Sequence, residues 1–376
     1  YYKDHFVGHD FHHYDFDRIN DSASLKIWLC NFSRLYFNFN SYSKKGHSTT
    51  SLDVSRDEFE FESPVDETSK EFSVGLDLSL KRVSILLEEK IQDYKNDYSF
   101  FLLGGKSHGE HMDDMAMLDY FYLSQPYDFR SFTHTFKVSA RPMDKLLIKA
   151  NGQLSNQDLR MDYAEDISGV TYLGSDYTNA YSGEGNFDRK IGLFDFDLSY
   201  LINYNIAIVA AVRYKKFEQE GSFNVYGAEM PMYLDYNTLG LEGGLQYQVN
   251  SKFTFTLGFR NEKREVMHSE DATGGEETKR TGLFGNLKLK LSKALRMTAD
   301  YQYGSYTDPF TSISPTDFHR FRCTFKYKGK NLFLNGSFQY KLSENDLDDM
   351  WKNERSQLNL RAGYFDKKVK FGMGYN

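Results

Sequence analysis

Apolar and polar residues alternate along this chain in about sixteen stretches of roughly ten residues each. Phe72, Val74, Leu76, Leu78 and Leu80 share one side of a stretch whose other side is Ser73, Gly75, Asp77 and Ser79. Phe253, Phe255, Leu257 and Phe259 alternate in the same way with Thr254, Thr256, Gly258 and Arg260. A period of two means β-strand, because successive side chains leave opposite faces of the pleat. Strands of about ten residues with one apolar and one polar face match a barrel wall between lipid and a wet lumen.

The stretches pair into hairpins. Ser22–Cys30 meets Arg34–Ser41, Glu71–Leu80 meets Val83–Ile91, Ser131–Ala140 meets Leu146–Leu154, and Ile191–Leu201 meets Ile206–Lys215. Thr238–Val249 then meets Phe253–Lys263, Thr281–Leu291 meets Leu295–Tyr303, Phe318–Tyr327 meets Leu332–Lys341, and Gln357–Tyr364 meets Val369–Tyr375. The tight turns are rich in Asn, Ser, Asp and Lys, as hairpins require. Between hairpins run longer polar segments, predicted as loops: Asn40–Ser69, Asp93–Asp128, Ser155–Lys190, Phe217–Asn237, Arg264–Arg280, Gly304–Asp317 and Ser343–Ser356.

Short turns at one rim and long loops at the other define an all-β fold, a transmembrane up-and-down antiparallel barrel. At least 16 strands are visible by this count, and 18 or more are expected in a complete protein whose termini both lie in the periplasm. Residues 1–21 read as a polar, His-rich N-terminal segment able to contribute to a first strand, and residues 22–376 as the barrel. The final strand has no descending partner, so the barrel is expected to be incomplete at the C-terminus, and a signal peptide to have preceded Tyr1.

Composition sharpens this picture. Mean hydropathy is -0.62 and no apolar run approaches the ~18 residues of a membrane helix, which leaves barrels untouched, since alternate residues alone face lipid. The 28 tyrosines suit interface girdles and the 6 prolines suit a chain that is mostly hydrogen-bonded strand. A net charge of -7 argues against a nucleic-acid partner. Cys30 and Cys323 form no metal or redox spacing, and the chain has no CxxCH, so it attaches no c-type haem itself.

Parity gives the inward candidates: Asp77, Asp195, Asp197 and Glu242, then Lys288, Lys290, Arg296, Asp300, Arg320, Arg322, Lys326, Arg361 and Lys370. On the lipid side each Arg or Lys would cost roughly 2–4 kcal/mol near the midplane, so these residues are expected to face water or a protein occupant. The basic later set reads as an anion path, as a wall for an acidic partner, or as charges balanced in a solvated lumen. Inward glycines, among them Gly240, Gly244 and Gly258, would ease curvature or admit a close approach.

Three clusters carry possible chemistry. His5, His9, His12 and His13 lie with Asp10 and Asp15 near the start, at no recognised zinc spacing. His108, Glu110, His111 and Asp113, beside Asp114, are candidate metal ligands in a surface segment. Asp317, His319 and Arg320 lie close in sequence to Ser312 and Ser314, but a triad is recognised by geometry and roles. The chain has no GxSxG elbow, phosphate loop or HExxH, and no catalysis is expected.

Ser63-Pro-Val-Asp-Glu-Thr-Ser-Lys70 leads into Val74-Gly-Leu-Asp-Leu78 and then Asp93-Tyr-Lys-Asn-Asp97. Gln125-Pro-Tyr-Asp128 opens a hairpin whose second strand ends Asn151-Gly-Gln-Leu-Ser-Asn-Gln-Asp158. With Asp308-Pro-Phe-Thr-Ser-Ile-Ser-Pro-Thr-Asp-Phe-His-Arg320, these segments resemble the MtrB/PioB-type outer-membrane barrels, although the cysteine pair near the start of some such proteins is absent. The resemblance implies an insulating outer-membrane tube around a separate multihaem c-type cytochrome, with haem supplied by that partner and none held by this chain. Competing roles are a porin for small solutes, with Asp93–Asp128 or Ser155–Lys190 folded inward as a constriction, and an adhesive barrel.

Overall fold

The structure, a computed structural model, describes residues 14–55, 57–105, 107–108, 116–225, 227–268, 276–308, 315–346, 351–365 and 370–375. Eighteen strands follow one another: β1 (Tyr14–Cys30), β2 (Ser33–Val54), β3 (Asp57–Ser79), β4 (Val83–Asn96), β5 (Ser99–Leu102), β6 (Met117–Ser124), β7 (Tyr127–Met143), β8 (Leu146–Val170) and β9 (Asp176–Leu201). Then come β10 (Ile206–Val225), β11 (Ala228–Asn250), β12 (Phe253–Met267), β13 (Glu276–Lys290), β14 (Leu295–Thr307), β15 (Asp317–Lys328), β16 (Leu332–Glu344), β17 (Lys352–Phe365) and β18 (Lys370–Tyr375). β1 takes in Tyr14–Asp21, part of the segment read as preceding the barrel.

Each strand pairs antiparallel with the next, with one elaboration. β4 pairs with β7, while β5 and β6 pair with each other and fill the space between the far ends of β3 and β8. They continue β4 and β7 past a break at Asp97–Tyr98 and Gln125–Pro126, where the proline offers no ladder donor.

The predicted long loops are corrected here: most are strand. Asn40–Ser69 is the outer half of the β2–β3 hairpin, closed at Ser55, whose φ of 51° lies in the left-handed region. Ser155–Lys190 is the paired continuation of β8 and β9, and Phe217–Asn237 that of β10 and β11. Alternation ends there because, beyond lipid, neither face of a strand needs to be apolar, whereas the ladder still satisfies every backbone group. A strand as long as the 25 residues of β8 runs about 80 Å and, tilted by ~45°, rises roughly twice the thickness of a bilayer core.

Exposed apolar side chains occupy one face of the inner halves of these strands. Leu239, Leu241, Leu245, Phe255, Leu257, Phe259 and Leu283 are all 38–58% exposed. Tyr200, Tyr247 and Tyr364 stand near the short turns, and Tyr214 and Tyr301 toward the other edge. Such a belt, rimmed by tyrosine, is stable against hydrocarbon and not against water.

The compact apolar core lies outside this band. Phe59 and Phe61 of β3, Phe100 of β5, Leu118 and Phe121 of β6, and Ile167 of β8 bury one another with Ala116. The Phe61 and Phe121 rings stand 4.5 Å apart, and the Tyr172 amide donates to Ser55 Oγ at 3.3 Å. The extended ends of β2–β3, β5–β6 and β8–β9 therefore pack as one unit at the long-hairpin mouth.

Candidate functional site: the polar face of the wall

The register settles which predicted residues share a face. Arg34, Asp77, Leu86, Lys137, Asn151, Asp195 and Arg213 form one continuous row across β2, β3, β4, β7, β8, β9 and β10. Neighbouring rows carry Lys149 with Asp197, and Glu242 with Arg260. Lys288, Lys290, Arg296, Asp300, Arg320, Arg322, Lys326 and Arg361 continue this face through β13–β17, and Lys370 of β18 pairs with Phe365 at the same parity. It lies opposite the apolar band, so in a barrel set in lipid it is the inner face.

The first half of this face is charge-matched. Arg34 Nη2 donates to Asp77 at 2.6 Å, and Arg213 reaches Asp197 at 2.5 Å and Asp195 at 3.4 Å. Arg260 pairs with Glu242 at 2.6 Å, and Glu262 takes Arg280 at 3.8 Å and Arg264 at 4.0 Å. Arg280 also lies over the Phe318 ring at 4.6 Å. Arg34, Lys137, Lys149, Arg213, Glu262, Arg264 and Arg280 are absent from the set predicted by sequence. Arg213 is hidden because its inward neighbours Ala207, Val209 and Ala211 are apolar, so its strand shows no polar parity.

The second half differs. A recess of about 710 Å³ is lined by Thr298, Asp300, Arg322, Lys326, Asn335 and Arg361. Asp300 is the one carboxylate on this face of β14–β17 among the described residues, and it accepts from Asn286. In register, Lys290 opposes Arg296, which opposes Lys326. Toward the long-hairpin end, Arg320 opposes Lys341, which opposes Arg355.

Glycines admit rings on this face. Tyr36 lies across Gly75 and donates from its hydroxyl to Glu88 at 2.9 Å, and Phe284 covers Gly258. The close-approach role expected of Gly258 is thus the one its surroundings use.

The Glu89–His134 pair sits on the opposite face, inside the apolar band. Glu89 of β4 and His134 of β7 hydrogen-bond one pleat inside the row Phe72–Ile91–Phe132, with Leu87 and Phe136 on the next row. Both are more than half exposed. Replacing His134 by Leu leaves a lone carboxylate against lipid and is expected to cost about 1 kcal/mol. Replacing both by Leu should instead raise the thermal midpoint above that of wild type. Differential scanning calorimetry in bilayers reads both; a double variant less stable than the single one would refute a lipid-facing placement.

The other candidate chemistry disperses. His319 Nδ1 bonds the Tyr301 hydroxyl at 2.8 Å and Asp317 accepts from Tyr303 at 3.0 Å, while Arg320 points to the other face. Ser312 and Ser314 lie outside the described residues, as do Glu110, His111, Asp113 and the histidines before Tyr14. His108 forms a bridge with Met117, and no group of three metal-ligating residues occurs among the described residues. Cys30 and Cys323 are free thiols.

A lipid belt, a polar inner face and consecutive antiparallel hairpins together define a bacterial outer-membrane β-barrel. The family described as outer membrane beta-barrel porin, MtrB/PioB, matches residues 17–305, and the chain belongs to it. No curated protein matches by sequence. Among solved structures, BauA, the ferric preacinetobactin receptor from Acinetobacter baumannii, aligns with a TM-score of 0.52 at 12% identity over 97% of this chain. The chain spans 62% of that receptor's length, and the likeness is one of fold alone. FyuA, the ferric yersiniabactin uptake receptor from Yersinia pestis, aligns at 8% identity with a TM-score of 0.49, over 93% of this chain and 70% of its own.

Proposed function

We propose that this porin-family barrel is an insulating sheath for a multihaem cytochrome in electron transfer across the outer membrane. The observation that carries this reading concerns the segments a solute porin would fold inward. Ser155–Lys190 lies in the wall as β8 and β9, and so do the described strands of Asp93–Asp128, β5 and β6. A wall built up in this way, with a polar inner face, suits a tube that receives a folded partner. Haem belongs to that partner, and the chain's own residues supply insulation, polar contact and a seat in lipid. No catalytic role is assigned to the barrel.

The test is a visible spectrum of the tagged protein, gently extracted from outer membranes, before and after dithionite. A Soret band that shifts on reduction, with a separate haem-staining polypeptide at fixed ratio, is the expected result. A stable barrel free of haem, with solute conductance in planar bilayers, would replace the sheath by a diffusion pore.

A further inference from the structure

We infer that the occupant is held asymmetrically, by an acidic surface docked on the β13–β17 sector of the inner wall; this rests on the sheath reading above. Two cross-strand rows carry the inference. Lys290, Arg296 and Lys326 stand directly opposite one another near the short turns, and Arg320, Lys341 and Arg355 do so toward the other end. Like charges opposed across a ladder destabilise a sheet. Among the described residues, no carboxylate forms an ion pair with any of these six, whereas Arg34, Arg213 and Arg260 across the wall each have an acidic partner at 2.6 Å or less.

Between the rows, the recess presents Arg322 and Arg361 amid Thr298, Asn335, Ser337 and Asn359. Such short hydroxyl and amide side chains leave room for a partner and can bond its carboxylates. A sector that repels itself when empty is relieved by a surface rich in Asp, Glu or exposed haem propionates, and its field steers that surface toward it. The sector around Arg213 offers less gain, since Arg34, Arg213 and Arg260 each already have an acidic partner and Asp77, Asp195 and Asp197 offset the lysines beside them. The occupant is thereby set in one rotational orientation within the tube.

The experiment uses the full barrel expressed with its haem partner, and reads the haem-to-barrel ratio after purification. Reversing Arg322, Lys326 and Arg361 to Glu should lower that ratio at least tenfold, and a triple Gln variant should lower it less. Reversing Lys137 and Lys149 to Glu, in the matched sector, should leave it within twofold of wild type. Heat-modifiable gel mobility confirms that each barrel is folded. Retention of haem at the wild-type ratio by the folded Glu variant would overturn the inference while leaving the sheath reading standing, as would equal loss from both sectors. A wild-type barrel that carries no haem protein but conducts anions over cations, with that preference inverted in the Glu variant, would overturn both and make the sector an anion path.

Discussion

Phe61→Ala is expected to loosen the long-hairpin mouth by about 3–5 kcal/mol while leaving the lipid-embedded wall intact. Phe61 is fully buried, and its ring meets Phe121 across two strands. Removing it opens a cavity bordered by Phe59, Phe100 and Ile167, a site that cannot collapse without pulling β3 and β8 together. The loss should be local, because the band around Leu241 and Leu257 draws its stability from lipid and its own ladder. Amide exchange should accelerate in residues 57–61, 118–123 and 165–170, and remain at wild-type rates around Leu241. Uniform acceleration along the whole chain would show that the mouth and the band unfold together.

Gly304→Val should destabilise the barrel by about 1–3 kcal/mol through overpacking. A β-carbon at Gly304 would strike both the Phe318 ring, which is itself 7% exposed, and, at 2.9 Å, Nε of the Arg280 guanidinium that lies over that ring. Displacing that ring takes away the surface on which Arg280 rests and lengthens its reach to Glu262. Trimming the ring in the double variant Gly304→Val/Phe318→Leu should recover part of the loss, giving a coupling energy of about 1 kcal/mol in thermal unfolding. Strict additivity of the two single variants would refute the contact.

How much of this was legible beforehand varies along the strands. Within the lipid band the period of two was decisive, and all eight hairpins occur where alternation places them. Beyond the band, Gln157 pairs with Arg189 and Asp158 with Asp188, but residues polar on both faces leave no period, so strand reads as loop. Arg355 escapes the inward set for the same reason, being flanked by Glu354 and Ser356, whereas Lys341 stands between Tyr340 and Leu342 on a parity the sequence does display. Glu89 lies between Leu87 and Ile91 on the apolar parity, a signal that was present; its partner His134 became evident through the β4–β7 register, which spans the intervening hairpin.

Continuing the ladder from lipid into water also bears on how the protein meets degradative enzymes. A protease needs several residues of extended, unpaired backbone, and exposed loop tips usually supply them. In the sector from β2 to β9, β2 and β3 stay paired out to Val54 and Asp57, and β8 and β9 stay paired out to Val170 and Asp176, joined by Thr171–Ser175. Along those two hairpins the described backbone offers little extended, unpaired chain, so a cleavage site engineered into either is expected to be cut only as fast as the ladder around it opens.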